Sequence, residues 1–137
     1  QGQAGDRLYG FDKKTGELVW ASWSGERPKD NSFSHPVLTW FKGKRVFITA
    51  TGDGNVFCAN ARTGEAIWRV PLFKAGINST TVVHNNDKVI AIFGTPYEPG
   101  QMVCMKIPQV EPTSATNAPV VVDSRVAHIA VVFVTGD

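Results

Sequence analysis

One segment of the chain recurs almost unchanged 48 residues further along. Residues 9–20 read Tyr-Gly-Phe-Asp-Lys-Lys-Thr-Gly-Glu-Leu-Val-Trp, and residues 57–68 read Phe-Cys-Ala-Asn-Ala-Arg-Thr-Gly-Glu-Ala-Ile-Trp. The two copies share Thr-Gly-Glu-x-x-Trp, together with an aromatic residue, an Asp or Asn and a basic residue. Self-similarity at such a period is typical of proteins built from repeated structural units. The repeat therefore constrains the fold more than any other feature of the sequence.

A second pattern recurs in the same register. Residues 34–38 read Ser-His-Pro-Val-Leu, residues 79–83 read Ser-Thr-Thr-Val-Val, and residues 117–122 resemble them less closely. Each segment is followed by a polar turn and then by another short run rich in Val, Ile and Phe, as strands prefer. Apolar residues form no i, i+3, i+4, i+7 stripe. We therefore predict an all-β chain whose unit, roughly 42–48 residues long, contains four short strands, A to D.

The spacing of these patterns divides the chain into units within a single segment, 1–137. We expect strands C and D of one unit at 5–20, a complete unit at 33–70, a partial unit at 79–107, and strands A and B of a further unit at 117–137. Turn chemistry supports the strand boundaries. Asp53-Gly54 predicts a type I′ hairpin turn, and the Thr-Gly pairs predict the turns between strands C and D.

These motifs resemble one known family, the pyrroloquinoline-quinone-like (PQQ-like) repeat β-propellers. The matching segments are residues 34–38, Lys-Arg-Val-Phe-Ile at 44–48, Gly-Asp-Gly at 52–54, and 56–68. The resemblance implies blades of four antiparallel strands. Because closed propellers contain about four to eight blades, 137 residues at this period imply an incomplete ring of about three blades.

The resemblance also implies roles for particular residues. The strand-D tryptophan of such blades packs between neighbouring blades beside the Thr-Gly turn. The residues at these blade-docking positions are Thr15, Gly16, Trp20, Thr63, Gly64 and Trp68. Trp23 and Trp40 lie outside the docking motif, and we regard them as candidates for an exposed binding surface.

Two functions are compatible with this family. Its quinone-dependent dehydrogenases have, by resemblance, an adjacent Cys-Cys disulfide, a catalytic Asp, and Glu and Asn ligands for calcium. This chain has only Cys58 and Cys104, which are not adjacent and which are either free or bridged to each other. We therefore predict no catalytic, cofactor-binding or metal residues, and expect a non-catalytic protein-binding or scaffolding module. The alternative is a set of framework blades in a PQQ- and calcium-dependent alcohol or sugar dehydrogenase, so enzymatic activity stays open.

Charge and hydropathy narrow the choice of partners. With 14 Lys and Arg against 12 Asp and Glu, the net charge of +2 does not favour nucleic-acid binding. No apolar run reaches the roughly 20 residues of a membrane-spanning helix. His35, His84 and His128 lie on different units, which argues against a shared metal site. We expect a protein partner, or self-association through exposed blade edges, and by resemblance a periplasmic or secreted location.

Overall fold

The computed structural model describes residues 7–30, 33–77, 82–84, 87–95, 97–109, 120–121 and 130–133. Every regular element in these ranges is a β-strand. The strands are β1 (Arg7–Phe11), β2 (Leu18–Trp23), β3 (Val37–Phe41), β4 (Lys44–Ala50), β5 (Asn55–Asn60), β6 (Ala66–Pro71), β7 (Val82–His84), β8 (Lys88–Thr95), β9 (Glu98–Lys106), β10 (Val120–Val121) and β11 (Ala130–Phe133). The predicted all-β class is confirmed, and the described residues contain no helix that could span a membrane.

The strands form three sheets. The first is the β1–β2 hairpin, the central sheet has the order β10-β6-β5-β4-β3, and the third has the order β11-β9-β8-β7. Strands β3 to β6 are consecutive in the chain and pair antiparallel throughout. This four-stranded antiparallel unit is the blade that the repeat predicts, so the predicted architecture of four-stranded antiparallel blades is confirmed.

The two copies of the sequence repeat form the same turn, held by equivalent hydrogen bonds from backbone N–H groups to the side chain of Asp12 or Asn60. Asp12 Oδ1 accepts hydrogen bonds from the N–H groups two and three residues later at 2.8 and 2.9 Å, and Asn60 Oδ1 does the same at 2.8 and 3.3 Å. Gly16 and Gly64 close the turns with φ of 75° and 72°. Only glycine adopts this left-handed conformation without strain, which explains why Thr-Gly recurs.

The turn between β4 and β5 differs from the sequence prediction. The Thr51 N–H donates to the Asn55 carbonyl at 3.0 Å, which closes a three-residue loop. Within that loop Gly54 alone has a positive φ, of 89°. The type I′ prediction is therefore wrong, and the loop is of the three-residue class that ends in a left-handed glycine. The physical reason is Asp53, whose carboxylate accepts hydrogen bonds from Thr51 Oγ1 and Asn55 N and so fixes the loop conformation.

The core lies on both faces of the central sheet, because side chains alternate between the faces of a strand. One face packs against Val89, Ala91 and Met105 of the third sheet. The other face packs against Leu8 and Trp20 of the β1–β2 hairpin. The central sheet is thus covered by one neighbouring sheet on each side, as in a stack of blades.

The last two strands join sheets formed by earlier parts of the chain. β10 pairs parallel with β6, and β11 pairs antiparallel with β9. β11 therefore pairs with β9 as β6 pairs with β5, antiparallel in both sheets. It takes the place of the fourth blade strand in the third sheet, where the sequence lacks a Thr-Gly-x-x-x-Trp segment. The assignment of 117–137 to strands A and B of a further unit stays a prediction, since the structure describes only 120–121 and 130–133 of that range.

Candidate functional site

Trp20 connects the first hairpin to the central sheet. Its ring is stacked on Phe47 of β4, with 5.7 Å between the ring centroids and 9° between the ring planes. Two glycines make room for the indole. A methyl group at Gly64 would lie 2.5 Å from Trp20 Cε3, and one at Gly10 would overlap the same ring. The indole thus occupies a slot formed partly by its own hairpin and partly by the next Thr-Gly turn.

Trp68 lies in the equivalent place one unit later. Its side chain is fully buried, in a cluster that includes Val89, Ala91 and Met105 of the third sheet. The two threonines act more locally, because Thr15 Oγ1 and Thr63 Oγ1 accept hydrogen bonds from the N–H groups two residues later. These contacts support the blade-docking assignment, which stays a prediction.

A buried carboxylate forms a second link between the hairpin and the central sheet. Asp53 is only 1% exposed, and its Oδ2 accepts a hydrogen bond of 2.7 Å from Ser24 Oγ. Its Oδ1 accepts from Thr51 Oγ1 and from the Asn55 N–H. The sequence pattern predicts only a turn role for Asp53. The overlooked signal is the polar Gly-Asp-Gly turn between two buried strands, where a carboxylate needs partners.

An ion pair adds a third link on the same side. Arg69 Nη1 of β6 lies 2.6 Å from Glu26 Oε1, in the segment that follows β2. The arginine side chain is 13% exposed and the glutamate 40%. Sequence spacing gave no indication of this pair, because the two residues meet only when the hairpin packs on the sheet.

The two candidate binding tryptophans lie on different surfaces. Trp23 of β2 is 48% exposed, and its Nε1 donates to the Glu26 carbonyl at 3.3 Å. It shares the outer side of the hairpin with Tyr9, which is also about half exposed. Trp40 is 61% exposed on β3, at the edge of the central sheet. The structure therefore does not bring Trp23 and Trp40 together.

A groove opens beside Trp40. Its volume is about 660 Å³, and Leu38, Trp40, Lys44, Arg45 and Arg62 contribute to its lining. We call it the Trp40 groove. Its lining combines two exposed apolar side chains with three cations and contains no carboxylate. Such a surface is suited to binding a partner that carries both apolar and acidic groups.

The cysteines and histidines do not form a site in the described part of the chain. Cys58 is buried and Cys104 is half-buried, and both thiols are free. Burial raises the pKa of the Cys58 thiol far above its usual value. Among the described residues, no group of three or more His, Cys, Asp or Glu side chains is placed to hold a metal ion. His128 lies outside those residues.

Comparison with protein families identifies a match over residues 4–95 of the chain. The matching family model is a PQQ-like repeat described as outer membrane protein assembly factor BamB. The matched range includes both copies of Thr-Gly-Glu-x-x-Trp and all four strands β3 to β6. No curated protein and no solved structure matches the chain significantly. The resemblance recognised in the sequence is confirmed.

Proposed function

Because the chain belongs to the PQQ-like repeat family described as outer membrane protein assembly factor BamB, we propose that it is a protein-binding or scaffolding segment of a β-propeller. The proposal has two parts. Contacts of Trp20 and Trp68 between sheets give a rigid stack of blades. Aromatic side chains left exposed on that stack give the surface that a partner contacts.

The observation that carries the proposal is the family match over residues 4–95, and the exposure of Trp40 adds a candidate contact residue. A tryptophan that is 61% exposed on an ordered strand leaves a large apolar area in water, which is unfavourable by about 25 cal/mol for each Å². Tryptophan and arginine are also the residues most enriched among those that dominate binding energy at protein interfaces. Arg45 pairs with Trp40 across β3 and β4, so both types are adjacent here.

The position of the turns indicates which end of the segment meets the partner. The β3–β4 turn and the β5–β6 turn both contribute residues to the Trp40 groove, so they lie at the same end of the central sheet. Loops at one end of such a scaffold are the usual place for binding residues. We expect this end to contact a protein rather than nucleic acid, in the periplasm or outside the cell.

Affinity purification with a matched variant tests the proposed function. The tagged protein and a Trp23→Ser/Trp40→Ser variant are purified from the source cells, and the associated proteins are quantified by mass spectrometry. We expect a discrete partner with the unchanged protein and at least about a tenfold loss with the variant, since aromatic anchors carry much of the binding energy. Both substitutions are at exposed positions, so the fold is retained, as circular dichroism checks.

Two results would contradict the proposal. One is an unchanged set of associated proteins in the variant, which would show that neither exposed tryptophan contacts a partner. The other is dye-linked oxidation of an alcohol or sugar after addition of pyrroloquinoline quinone and Ca²⁺ to the purified protein. That activity would support the alternative, in which these blades are the framework of a dehydrogenase.

A further inference from the structure

The turn between β4 and β5 is buried, although connecting segments usually lie at the protein surface. All five of its residues, 51–55, are buried. Two segments of the chain form hydrogen bonds with this turn. We call them the first connector, residues 24–30 after β2, and the second connector, residues 72–77 after β6. Because the connectors belong to different units of the repeat, the turn joins parts of the fold that are far apart in the chain.

The first connector is bonded to the turn near both of its ends. The Gly52 carbonyl accepts hydrogen bonds from the N–H groups of Lys29 and Asp30 at 2.8 and 3.1 Å. At the start of the same connector, Ser24 Oγ donates to Asp53 Oδ2 at 2.7 Å. The chain that leaves the first hairpin is therefore held to the turn by three hydrogen bonds.

The second connector is bonded to the same turn through other carbonyl groups. The Gly54 carbonyl accepts hydrogen bonds from the N–H groups of Leu72 and Phe73 at 3.0 and 3.1 Å. The Thr51 carbonyl accepts from the Ile77 N–H at 3.1 Å. This connector, which leaves the central sheet, is thus also held near both ends.

The two connectors approach each other at Gly76. A methyl group at this position would lie 2.7 Å from Asp30 Cβ and 2.8 Å from the Gly52 carbonyl oxygen. Gly76 does not have a positive φ, so the close approach, and not the backbone conformation, requires a glycine here. The next residue, Ile77, is buried in a cluster with Phe93 of the third sheet. The first hairpin, the central sheet and the third sheet are therefore joined around one turn.

We propose that the turn 51–55 is a clamp that couples the two connectors, so that local opening of one connector loosens the other. The Thr51–Asn55 backbone bond and the Asp53 carboxylate fix the turn internally, so its carbonyl groups move together. In a stack of repeats each unit contacts only its neighbours. The clamp extends the coupling from the first hairpin to the third sheet. This inference does not depend on the proposed protein-binding function.

Amide hydrogen exchange of the full chain, measured by NMR, tests the coupling in one direction. Ser24→Ala removes a bond of the first connector only, because the Ser24 hydroxyl bonds to Asp53. We expect amides of the second connector, Leu72 and Ile77, to exchange at least about tenfold faster in this variant, since local opening sets their exchange rates. The matched control is Thr63→Ala, which also removes one bonded hydroxyl but at the opposite end of the central sheet. In the control these rates should stay within about twofold of the unchanged protein.

A second variant tests the coupling in the other direction, because coupling between two sites is reciprocal. In Gly76→Ala the added methyl group displaces the Gly52 carbonyl. The amides of Lys29 and Asp30, which donate to that carbonyl, should then exchange at least about tenfold faster. The matched control is Gly100→Ala, since a methyl group there would meet nothing within 4 Å and Gly100 has no positive φ. In the control the same two amides should keep their rates within about twofold.

Three outcomes would overturn the proposal. The first is faster exchange in Ser24→Ala that is confined to the first connector, which would show that the connectors open independently. The second is an equal effect of Gly76→Ala and Gly100→Ala on the first connector. The third is a uniform rise at all amides of the chain in Ser24→Ala and Gly76→Ala, which would show that the connectors open only when the whole fold opens. None of these outcomes bears on partner binding, so the proposed function would stand.

Discussion

A single methyl group at Gly64 tests whether Trp20 docks the first hairpin on the central sheet. Gly64 and Gly16 occupy the same place in the two repeated turns, with φ of 72° and 75°. Their surroundings differ, however. A Cβ atom at Gly64 would lie 2.5 Å from Trp20 Cε3, whereas a Cβ atom at Gly16 would meet nothing within 4 Å. Gly16→Ala is therefore the control, because it introduces the same backbone strain without any overlap with a neighbouring side chain.

The expected magnitudes follow from these two environments. Placing alanine in a left-handed conformation costs roughly 1–2 kcal/mol at either position. Overlap with the Trp20 ring adds about 1–3 kcal/mol at Gly64, as overpacking does elsewhere. We therefore expect the free energy of unfolding to fall by about 2–5 kcal/mol for Gly64→Ala and by only about 1–2 kcal/mol for Gly16→Ala.

Urea unfolding of a double-mutant cycle measures the contact itself. In a Trp20→Ala background the ring is absent, so Gly64→Ala should cost only the strain of about 1–2 kcal/mol. The coupling between positions 20 and 64 should then be about 1–3 kcal/mol. Equal losses for Gly64→Ala and Gly16→Ala, or a coupling near zero, would refute the docking role of Trp20.

Three further predictions concern other parts of the fold. Backbone N–H groups of Thr15 and Lys14 hold the pKa of Asp12 below its usual value. The ionised Asp12 carboxylate therefore stabilises the fold at pH values above its pKa in the unfolded state, and this stabilisation is lost as the pH falls through its pKa in the folded state. Asp12→Asn should therefore flatten the acid limb of stability measured by urea unfolding, and an unchanged limb would contradict this. Asp53→Ala leaves the Ser24 hydroxyl and the Asn55 N–H without their acceptor, whereas Thr51 Oγ1 keeps the Asn55 carbonyl as an acceptor at 3.1 Å. We expect the free energy of unfolding, measured by thermal unfolding, to fall by about 2–4 kcal/mol. A loss below about 0.5 kcal/mol would exclude a buried network. Cys58 is buried and Cys104 is half-buried. Iodoacetamide should therefore modify Cys104 of the native protein and leave Cys58 unmodified until the protein unfolds, which peptide mass mapping would measure. Rapid modification of both cysteines in the native protein would contradict the burial of Cys58.

The local structure was predictable from the sequence because its determinants are local. The turn at residues 12–16 needs an Asp or Asn to accept two N–H groups and a glycine for the positive φ, and both residue types recur at 60–64. The strands follow from apolar runs separated by these turns. The Trp20 and Trp68 contacts were inferred from family resemblance and not from spacing.

The links between sheets were not predictable, because they depend on how sheets pack. Ser24 and Asp53 are 29 residues apart in the chain, and nothing in the local pattern shows that the hydroxyl reaches the carboxylate. The same holds for Glu26 and Arg69. The Asp53 contacts also changed the turn type, since a turn prediction from Asp-Gly considers only backbone preference. The exposure of Trp40 likewise depends on which strands the hairpin covers.

Site-directed photo-crosslinking at position 40 tests the central claim, that this segment binds a protein through the Trp40 groove. Trp40 is replaced by a benzoylphenylalanine residue in the source cells, and Lys13, in the exposed turn between β1 and β2, is replaced in the control. We predict a discrete adduct at position 40 and none at position 13. No adduct at position 40 above the level at position 13 would contradict the claim.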